Sequence, residues 1–174
     1  NVAVGTDALA TNTTAGNNTA VGYQSLKLNT TGSNLTAVGA FALDENTTGA
    51  SNTAIGSSAL NKNTTGDFNI AVGSNALCTN VTSDNNTAVG YFALKVNTAA
   101  NNTAVGMNSL TSNTTGVGNV AVGALALCTH TTGDDNTALG LCALISNTTS
   151  SDNVAVGSCS LDANTTGANN TAVG

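Results

Sequence analysis

The chain has 174 residues and a mass of 16.9 kDa, about 97 Da per residue, so its side chains are mostly small. Only 7% of the residues are charged and 3% are aromatic, which excludes a thick globular core and leaves few side chains for catalysis or for holding a cofactor or a metal. The net charge of −6 excludes nucleic-acid binding and attachment to anionic membranes, because both need clustered Lys or Arg.

The chain is an array of 17-residue repeats, each marked by one glycine. Ten intervals separate the eleven copies of this glycine, nine of 17 residues and one of 16, and the short interval follows Gly90. We number the positions of each repeat from this glycine, with negative numbers before it and positive numbers after it. Such a period predicts stacked units that bury a core only together. The glycines are Gly5, Gly22, Gly39, Gly56, Gly73, Gly90, Gly106, Gly123, Gly140, Gly157 and Gly174.

The first element of each repeat is a short segment that ends just before the glycine. Position −3 is Thr, Val or Ile, position −2 is Ala in all eleven copies, and position −1 is Val, Ile or Leu. Small residues alternating with β-branched ones predict a β-strand. A helix is excluded, because β-branched residues, Asn and Gly recur too densely and nothing follows a 3.6-residue period.

The second element surrounds position +4, which is Leu in all ten copies and is preceded by Ala or Ser, so we expect a second short strand there. Asn follows at position +7, with His130 as the one replacement, and then usually Thr-Thr-Gly. This pattern is typical of a corner, because Asn and Gly accept left-handed backbone conformations. Another Asn column lies at position −4, with Leu35 as the exception. Both columns can hydrogen-bond along the axis as amide ladders.

Strand, corner, strand and corner together predict an all-β fold, a parallel β-solenoid (β-roll or β-helix) of about ten stacked 17-residue coils. Neighbouring coils would lie about 4.8 Å apart, so the array would form a rod about 48 Å long. Residues 1–174 form a single repeat array. Because this array begins and ends inside a repeat unit, we expect it to be a segment of a longer fibre.

Two runs in the second repeat carry a family resemblance: NTAVGYQSL at residues 18–26 and NTTG at residues 29–32. They resemble the head repeats of trimeric autotransporter adhesins and the NTAVG-type repeats of phage and viral tail fibres and bacterial surface fibre proteins, and the resemblance covers the whole chain. It implies a left-handed β-roll whose β-branched positions point inward, although the coil here is longer than the adhesin head coil. It also implies that the alanines of position −2 form the assembly face of a homotrimer: Ala3, Ala20, Ala37, Ala54, Ala71, Ala88, Ala104, Ala121, Ala138, Ala155 and Ala172.

Thirteen Asn-x-Ser/Thr sequons are candidate sites of N-glycosylation. Ladder asparagines followed by Thr produce sequons automatically, and an inward Asn cannot carry a sugar, so a bare fibre and a glycan-coated fibre both remain open. The five sequons on a predicted corner at position −5 are Asn17, Asn34, Asn85, Asn101 and Asn169. The eight at position +7 are Asn12, Asn29, Asn46, Asn63, Asn80, Asn113, Asn147 and Asn164.

The cysteines and acidic residues offer weaker candidate sites. Cys142 and Cys159 both lie at position +2 of adjacent coils, so their Cα atoms should be about 4.8 Å apart, within disulfide range, although two free surface thiols are the alternative. The spacings fit no zinc site, and His130 is expected to substitute for a ladder Asn. Five aspartates share a corner without the motif of calcium β-rolls, so we expect a solvated acidic corner and no metal: Asp67, Asp84, Asp134, Asp135 and Asp152.

The expected function is structural, because the sequence offers no paired acid and base and no unique cluster of reactive residues for an enzyme or a cofactor. We expect a self-associating, glycosylated shaft of an extracellular filament, on a cell surface or a virion appendage, with no nucleic-acid partner and no membrane insertion. The alternative is an adhesin head or tail-fibre segment that contacts host receptors through the irregular column at position +2. Ice binding is less favoured, because an inward Thr column broken by aliphatic residues suits it poorly: Val2, Ile70, Val120 and Val154.

Overall fold

The computed structural model describes residues 1–174 and confirms the all-β parallel solenoid. It contains eleven strands of three residues, no helices, and turns between the strands. Each strand occupies positions −3 to −1, as the repeat predicts. The strands are β1 Val2–Val4, β2 Thr19–Val21, β3 Thr36–Val38, β4 Thr53–Ile55, β5 Ile70–Val72, β6 Thr87–Val89, β7 Thr103–Val105, β8 Val120–Val122, β9 Thr137–Leu139, β10 Val154–Val156 and β11 Thr171–Val173.

All strands belong to one parallel sheet in chain order, so each coil lies directly on the next. The register is uniform and sets equivalent residues side by side, such as Ala37 beside Ala54. It persists across the 16-residue interval, where Thr87 pairs with Thr103. Ala99 is buried there and accepts a hydrogen bond from the side chain of Asn97, which is the role of position +10 in other coils. The missing residue is therefore position +9, in a corner outside the sheet.

The alanines of the sheet point into the core. The expected orientation of the strands, with the β-branched positions inward, is therefore wrong. Position −2 is fully buried in every coil from Ala20 to Ala155, whereas position −3 is half-buried or exposed in all strands. Leucines at position +4 fill the space opposite the sheet, so only a methyl group fits at position −2. The alanines therefore cannot form an assembly face in the described coils: Ala20, Ala37, Ala54, Ala71, Ala88, Ala104, Ala121, Ala138 and Ala155 lie in the core, and only the terminal Ala3 and Ala172 are accessible.

The expected second strand around Leu at position +4 is wrong, because the backbone there forms consecutive turns. Ala42 N–H donates to Gly39 O within the coil, and Phe41, the second of the two residues between them, has a φ of +60°. The leucines themselves have φ values between +46° and +53°, so this segment cannot be extended. Leu43 N–H nevertheless donates to Ala59 O of the next coil at 3.0 Å, which gives the turn segment a ladder of its own. Burial of the Leu side chains offsets a backbone strain of about 1–3 kcal/mol per residue.

The glycine that marks each repeat stands where neighbouring coils approach closely. Gly22 has a φ of +139°, and a Cβ added there would lie 2.5 Å from the carbonyl oxygen of Gly39. Both the backbone conformation and the space exclude a side chain. Glycine therefore recurs once per coil because of the contact between neighbouring coils.

Candidate functional surfaces

The Asn column at position +7 forms an amide ladder inside the corner, as predicted. The Nδ2 atom of Asn46 donates to Asn29 Oδ1 at 2.8 Å and to Gly49 O at 2.9 Å, and its Oδ1 accepts from Asn63 Nδ2. All three Asn side chains are fully buried. Each amide therefore joins two coils and closes its own corner.

The Asn column at position −4 forms a second ladder with another bonding pattern. Asn52 Oδ1 accepts from the backbone N–H of Asn69 at 2.8 Å, and Asn52 Nδ2 donates to Gly66 O at 2.7 Å. Leu35, the exception in this column, is buried and still donates its N–H to Asn18 Oδ1. This column pairs side chains with backbone, so it tolerates one apolar member.

His130 interrupts the ladder at position +7, although it is buried in the place of an Asn, as expected. Its Nε2 lies 2.8 Å from Gly133 O, and its Nδ1 has no partner. Asn113 Oδ1 and Asn147 Nδ2, in the adjacent coils, are also buried without partners. One substitution therefore leaves three polar atoms unsatisfied.

The Thr-Thr pair that follows each ladder Asn divides into a bonded and a free hydroxyl, a difference that the sequence did not reveal. The Oγ1 of Thr47, at position +8, donates to Thr64 O of the next coil at 3.0 Å. Thr48, at position +9, is exposed and its hydroxyl makes no hydrogen bond within the chain. In the sequence the two threonines look equivalent, because both recur in most coils. Only the register of the coils shows that the hydroxyl at position +8 bonds along the axis.

The sequons separate into two environments. The five at position −5 are exposed, and each has a φ near +60°: Asn17, Asn34, Asn85, Asn101 and Asn169. Six of the eight at position +7 are fully buried and cannot bear a sugar in this fold: Asn29, Asn46, Asn63, Asn80, Asn113 and Asn147. The other two, Asn12 and Asn164 in the terminal coils, are half-buried.

The acidic corner has a structural use. At position −6, Asp67 accepts a hydrogen bond from the N–H of Ala50 at 2.7 Å, and Asp84 accepts one from the N–H of Asp67 at 2.7 Å. Asp134 does the same for Val117 at 2.8 Å. No three His, Cys, Asp or Glu side chains come together as a metal-binding group. The carboxylates thus hold one coil to the next.

All four cysteines are free thiols in this structure. Cys142 and Cys159 occupy equivalent positions of adjacent coils, half-buried and exposed respectively, so their pairing stays a prediction. Burial raises the pKa of the Cys78 and Cys128 thiols above the usual value, and the positive charge of Lys95 partly offsets the effect at Cys78. These two thiols are therefore poor nucleophiles at neutral pH.

The outer face of the sheet is a continuous strip without charged residues. It consists of Thr, Val and Ile at position −3 and Val, Ile and Leu at position −1, both pointing away from the buried alanines. Aliphatic side chains such as Ile55, at 41% exposure, and Ile70, at 43%, lie open to solvent. We call these two columns the outer sheet face. The sequence did not identify it, because either face of the strand carried apolar residues.

Aromatic side chains flank the outer sheet face in a few coils. Tyr23 and Phe41 pack edge to face with ring centroids 5.2 Å apart. Tyr91 and Phe92 lie with centroids 3.9 Å apart, and Lys95 Nζ sits 4.3 Å from the centre of the Phe92 ring. These contacts are local packing within and between adjacent coils.

No protein-family model, curated protein or solved structure matches this chain. No helix suited to crossing a membrane is present.

Proposed function

We propose that this chain is a structural rod, a shaft segment of an extracellular fibre, and that it packs side by side with copies of itself through the outer sheet face. The uniform, charge-free face along all eleven strands carries the proposal. Its pattern recurs once per coil, so only a partner with the same axial repeat can stay in register along the whole rod.

The distribution of charge supports the same surface. The charged side chains lie on the turns and corners, with Lys27 and Asp44 at position +5, Lys62 at position +6 and Asp67 at position −6. Lys62 and Glu45 form an ion pair between adjacent coils. An interface centred on the sheet would therefore bury aliphatic and hydroxyl groups without burying a charge.

Charge placed on the outer sheet face tests the proposal. We expect the wild-type chain to form oligomers in light scattering, and V38K/V72K/V105K to remain a single chain with an unchanged β spectrum. The matched control, T31K/T65K/T115K, adds the same charge at position +9 and should assemble like wild type. A monomeric wild type, or equal disruption by both variants, would show that this face does not mediate assembly.

A receptor-contacting segment is the second candidate, supported by the varied residues at position +2. This column ranges from Asp7 and Gln24 to Phe41 and Cys142, whereas the core columns are nearly invariant. Binding of the chain to host cells or glycans, lost on substitution at position +2, would favour it over a plain shaft.

Ice binding is a third candidate, because the Thr residues at position −3 point outward and not inward. Aliphatic residues interrupt this column, and the neighbouring column at position −1 carries no hydroxyl. A thermal-hysteresis measurement tests it, and the absence of activity would eliminate it.

A further inference from the structure

The two classes of sequon asparagine differ at the atom that would receive a sugar. N-glycosylation forms a bond from Asn Nδ2 to the anomeric carbon of the sugar. The phosphate or pyrophosphate of the donor leaves, and Nδ2 loses one of its two hydrogens as a proton. A glycosylated Asn can therefore donate only one hydrogen bond, and its sugar needs open space.

The six interior ladder asparagines all lack open space, and all of them except Asn147 also use both Nδ2 hydrogens. Asn46 Nδ2 uses both hydrogens, one for Asn29 Oδ1 and one for Gly49 O, and the side chain is completely buried. Asn63 and Asn80 likewise donate twice and are completely buried. A glycan on any of these residues would break the ladder and occupy the core.

The asparagines at position −5 meet both conditions. Asn85 and Asn101 are exposed, and their side chains make no hydrogen bond within the chain. Asn17 Nδ2 donates one bond, to Asn34 Oδ1 at 3.2 Å on the surface, and keeps its second hydrogen free. The αL backbone at this corner directs each of them away from the core.

We propose that N-glycosylation and folding of the coil compete: the coil must close before glycans are attached, and once closed it accepts them at position −5 (Asn17, Asn34, Asn85, Asn101 and Asn169) and excludes them from the six buried ladder asparagines. In the unfolded chain all thirteen sequons are equally open. A sugar added then to an interior ladder Asn would prevent that corner from closing. This inference rests on the proposed extracellular shaft, because it says where that shaft would carry glycans. It does not depend on the assembly of the shaft with copies of itself.

The fold permits each class of sequon to be removed without touching its Asn. The third residue of every ladder sequon is the exposed Thr at position +9, so the ladder-sequon variant is T14A/T31A/T48A/T65A/T82A/T115A/T149A/T166A. The third residue of each corner sequon is the outward Thr at position −3, where Val occurs in other coils. The corner-sequon variant is therefore T19V/T36V/T87V/T103V/T171V.

The first experiment uses folded protein from bacterial cytoplasm and a purified N-glycosyltransferase that takes a nucleotide-activated hexose. Mass spectrometry of peptides would give the occupancy of each site in the folded chain and in an unfolded digest of it. We expect the folded chain to carry hexose at position −5 and none on the six buried ladder asparagines, and the digest to carry hexose at both positions. Hexose on an interior ladder Asn of a protein that keeps its β spectrum would overturn the proposal, as would unmodified corners in the folded chain.

The second experiment sends the chain through a eukaryotic secretory pathway, where glycans are added to the growing polypeptide. We expect the wild type and the corner-sequon variant to lose secretion and to carry ladder glycans. The ladder-sequon variant should be secreted with glycans at position −5 only. Secretion of folded wild type at the level of the ladder-sequon variant would show that glycans and folding do not compete. Light scattering of the bacterial protein reports assembly separately, so a failure of the proposed shaft is distinguishable.

Discussion

Single side chains decide the strength of the ladder at position +7, and His130 is its weakest member. The imidazole makes one hydrogen bond, to Gly133 O, where an Asn would make three, and it leaves Asn113 Oδ1 and Asn147 Nδ2 unpaired. Buried unpaired polar groups cost about 1–3 kcal/mol each. The ladder therefore has a defined defect at His130, in addition to the break at the 16-residue interval, where Asn80 Oδ1 has no partner.

We expect His130→Asn to stabilise the protein by about 1–3 kcal/mol, since the new amide can bond to both neighbouring asparagines. The midpoint of urea unfolding, followed by circular dichroism, measures this. The reciprocal change, Asn63→His, introduces the same defect in an intact stretch and should lower the midpoint. An unchanged or lowered midpoint for His130→Asn would mean that the imidazole packs better than the amide.

Asp44 gives a pH-dependent contribution at the same scale. Burial raises the pKa of this carboxyl, Lys27 partly opposes the shift, and Oδ1 has no hydrogen-bond partner. A carboxyl whose folded pKa lies above its unfolded pKa favours the fold when protonated. That contribution is present at low pH and is lost as the pH rises through the two values.

Asp44→Asn should therefore raise the urea midpoint at pH 7, by an amount equivalent to less than about 1 kcal/mol. The difference from wild type should shrink as the pH falls toward the unfolded pKa of the carboxyl. The matched control is Asp162→Asn, the same substitution at the equivalent position of another coil, where the side chain is exposed. A gain that is independent of pH would point to a cause other than the charge.

At the scale of the element, the strand and the glycine turn that follows it pack together against the next coil. A side chain at Gly22 would overlap the Gly39 carbonyl and require a φ of +139°, whereas nothing lies within 4 Å of a Cβ at Gly16. We expect Gly22→Ala to lower the unfolding free energy by about 3 kcal/mol or more, and Gly16→Ala to change it little. Equal effects of the two variants in urea unfolding would contradict the close approach of coils at the marker glycine.

Another element-scale prediction concerns position +2 of the last two full coils. Because Cys142 and Cys159 occupy equivalent positions in register, we expect oxidised glutathione to join them by thiol exchange into one intramolecular disulfide. Peptide mapping would detect the cross-link, and Cys142→Ser should abolish it. If both thiols instead end as mixed disulfides with glutathione, their side chains point apart.

The sequence predicts the strands, the corners and the two ladders well, because each depends on residue types that recur at a fixed spacing. It fails at Leu43 and its equivalents, since a Leu with positive φ opposes local preference and is held there by burial in the completed coil. It also fails to say which face of the strand points inward. The alternation places Ala37 on one face of the strand and Thr36 and Val38 on the other. The narrow interior then determines that the face with the methyl group points inward.

For the whole molecule, regular stacking means that every coil meets its neighbours through nearly the same bonds. The 16-residue coil shows where the pattern can change: it loses position +9, an exposed corner residue whose side chain makes no hydrogen bond along the axis. The candidate surfaces follow the same logic. The buried columns at positions −2, +4 and +7 are nearly uniform, whereas the columns at positions +2 and −5 vary from coil to coil.

Coils that follow each other in chain order, joined by hydrogen bonds parallel to the axis, also determine how the rod responds to tension. A pull on its two ends loads the bonds of a terminal coil first, and each coil that opens frees 17 residues, about 50–55 Å of extended chain beyond its own rise. Single-molecule force spectroscopy should record successive steps of this length, whereas one large step would mean that the coils open together. The rod would then lengthen in increments under a sudden load, which would limit the force on the points to which its ends are attached.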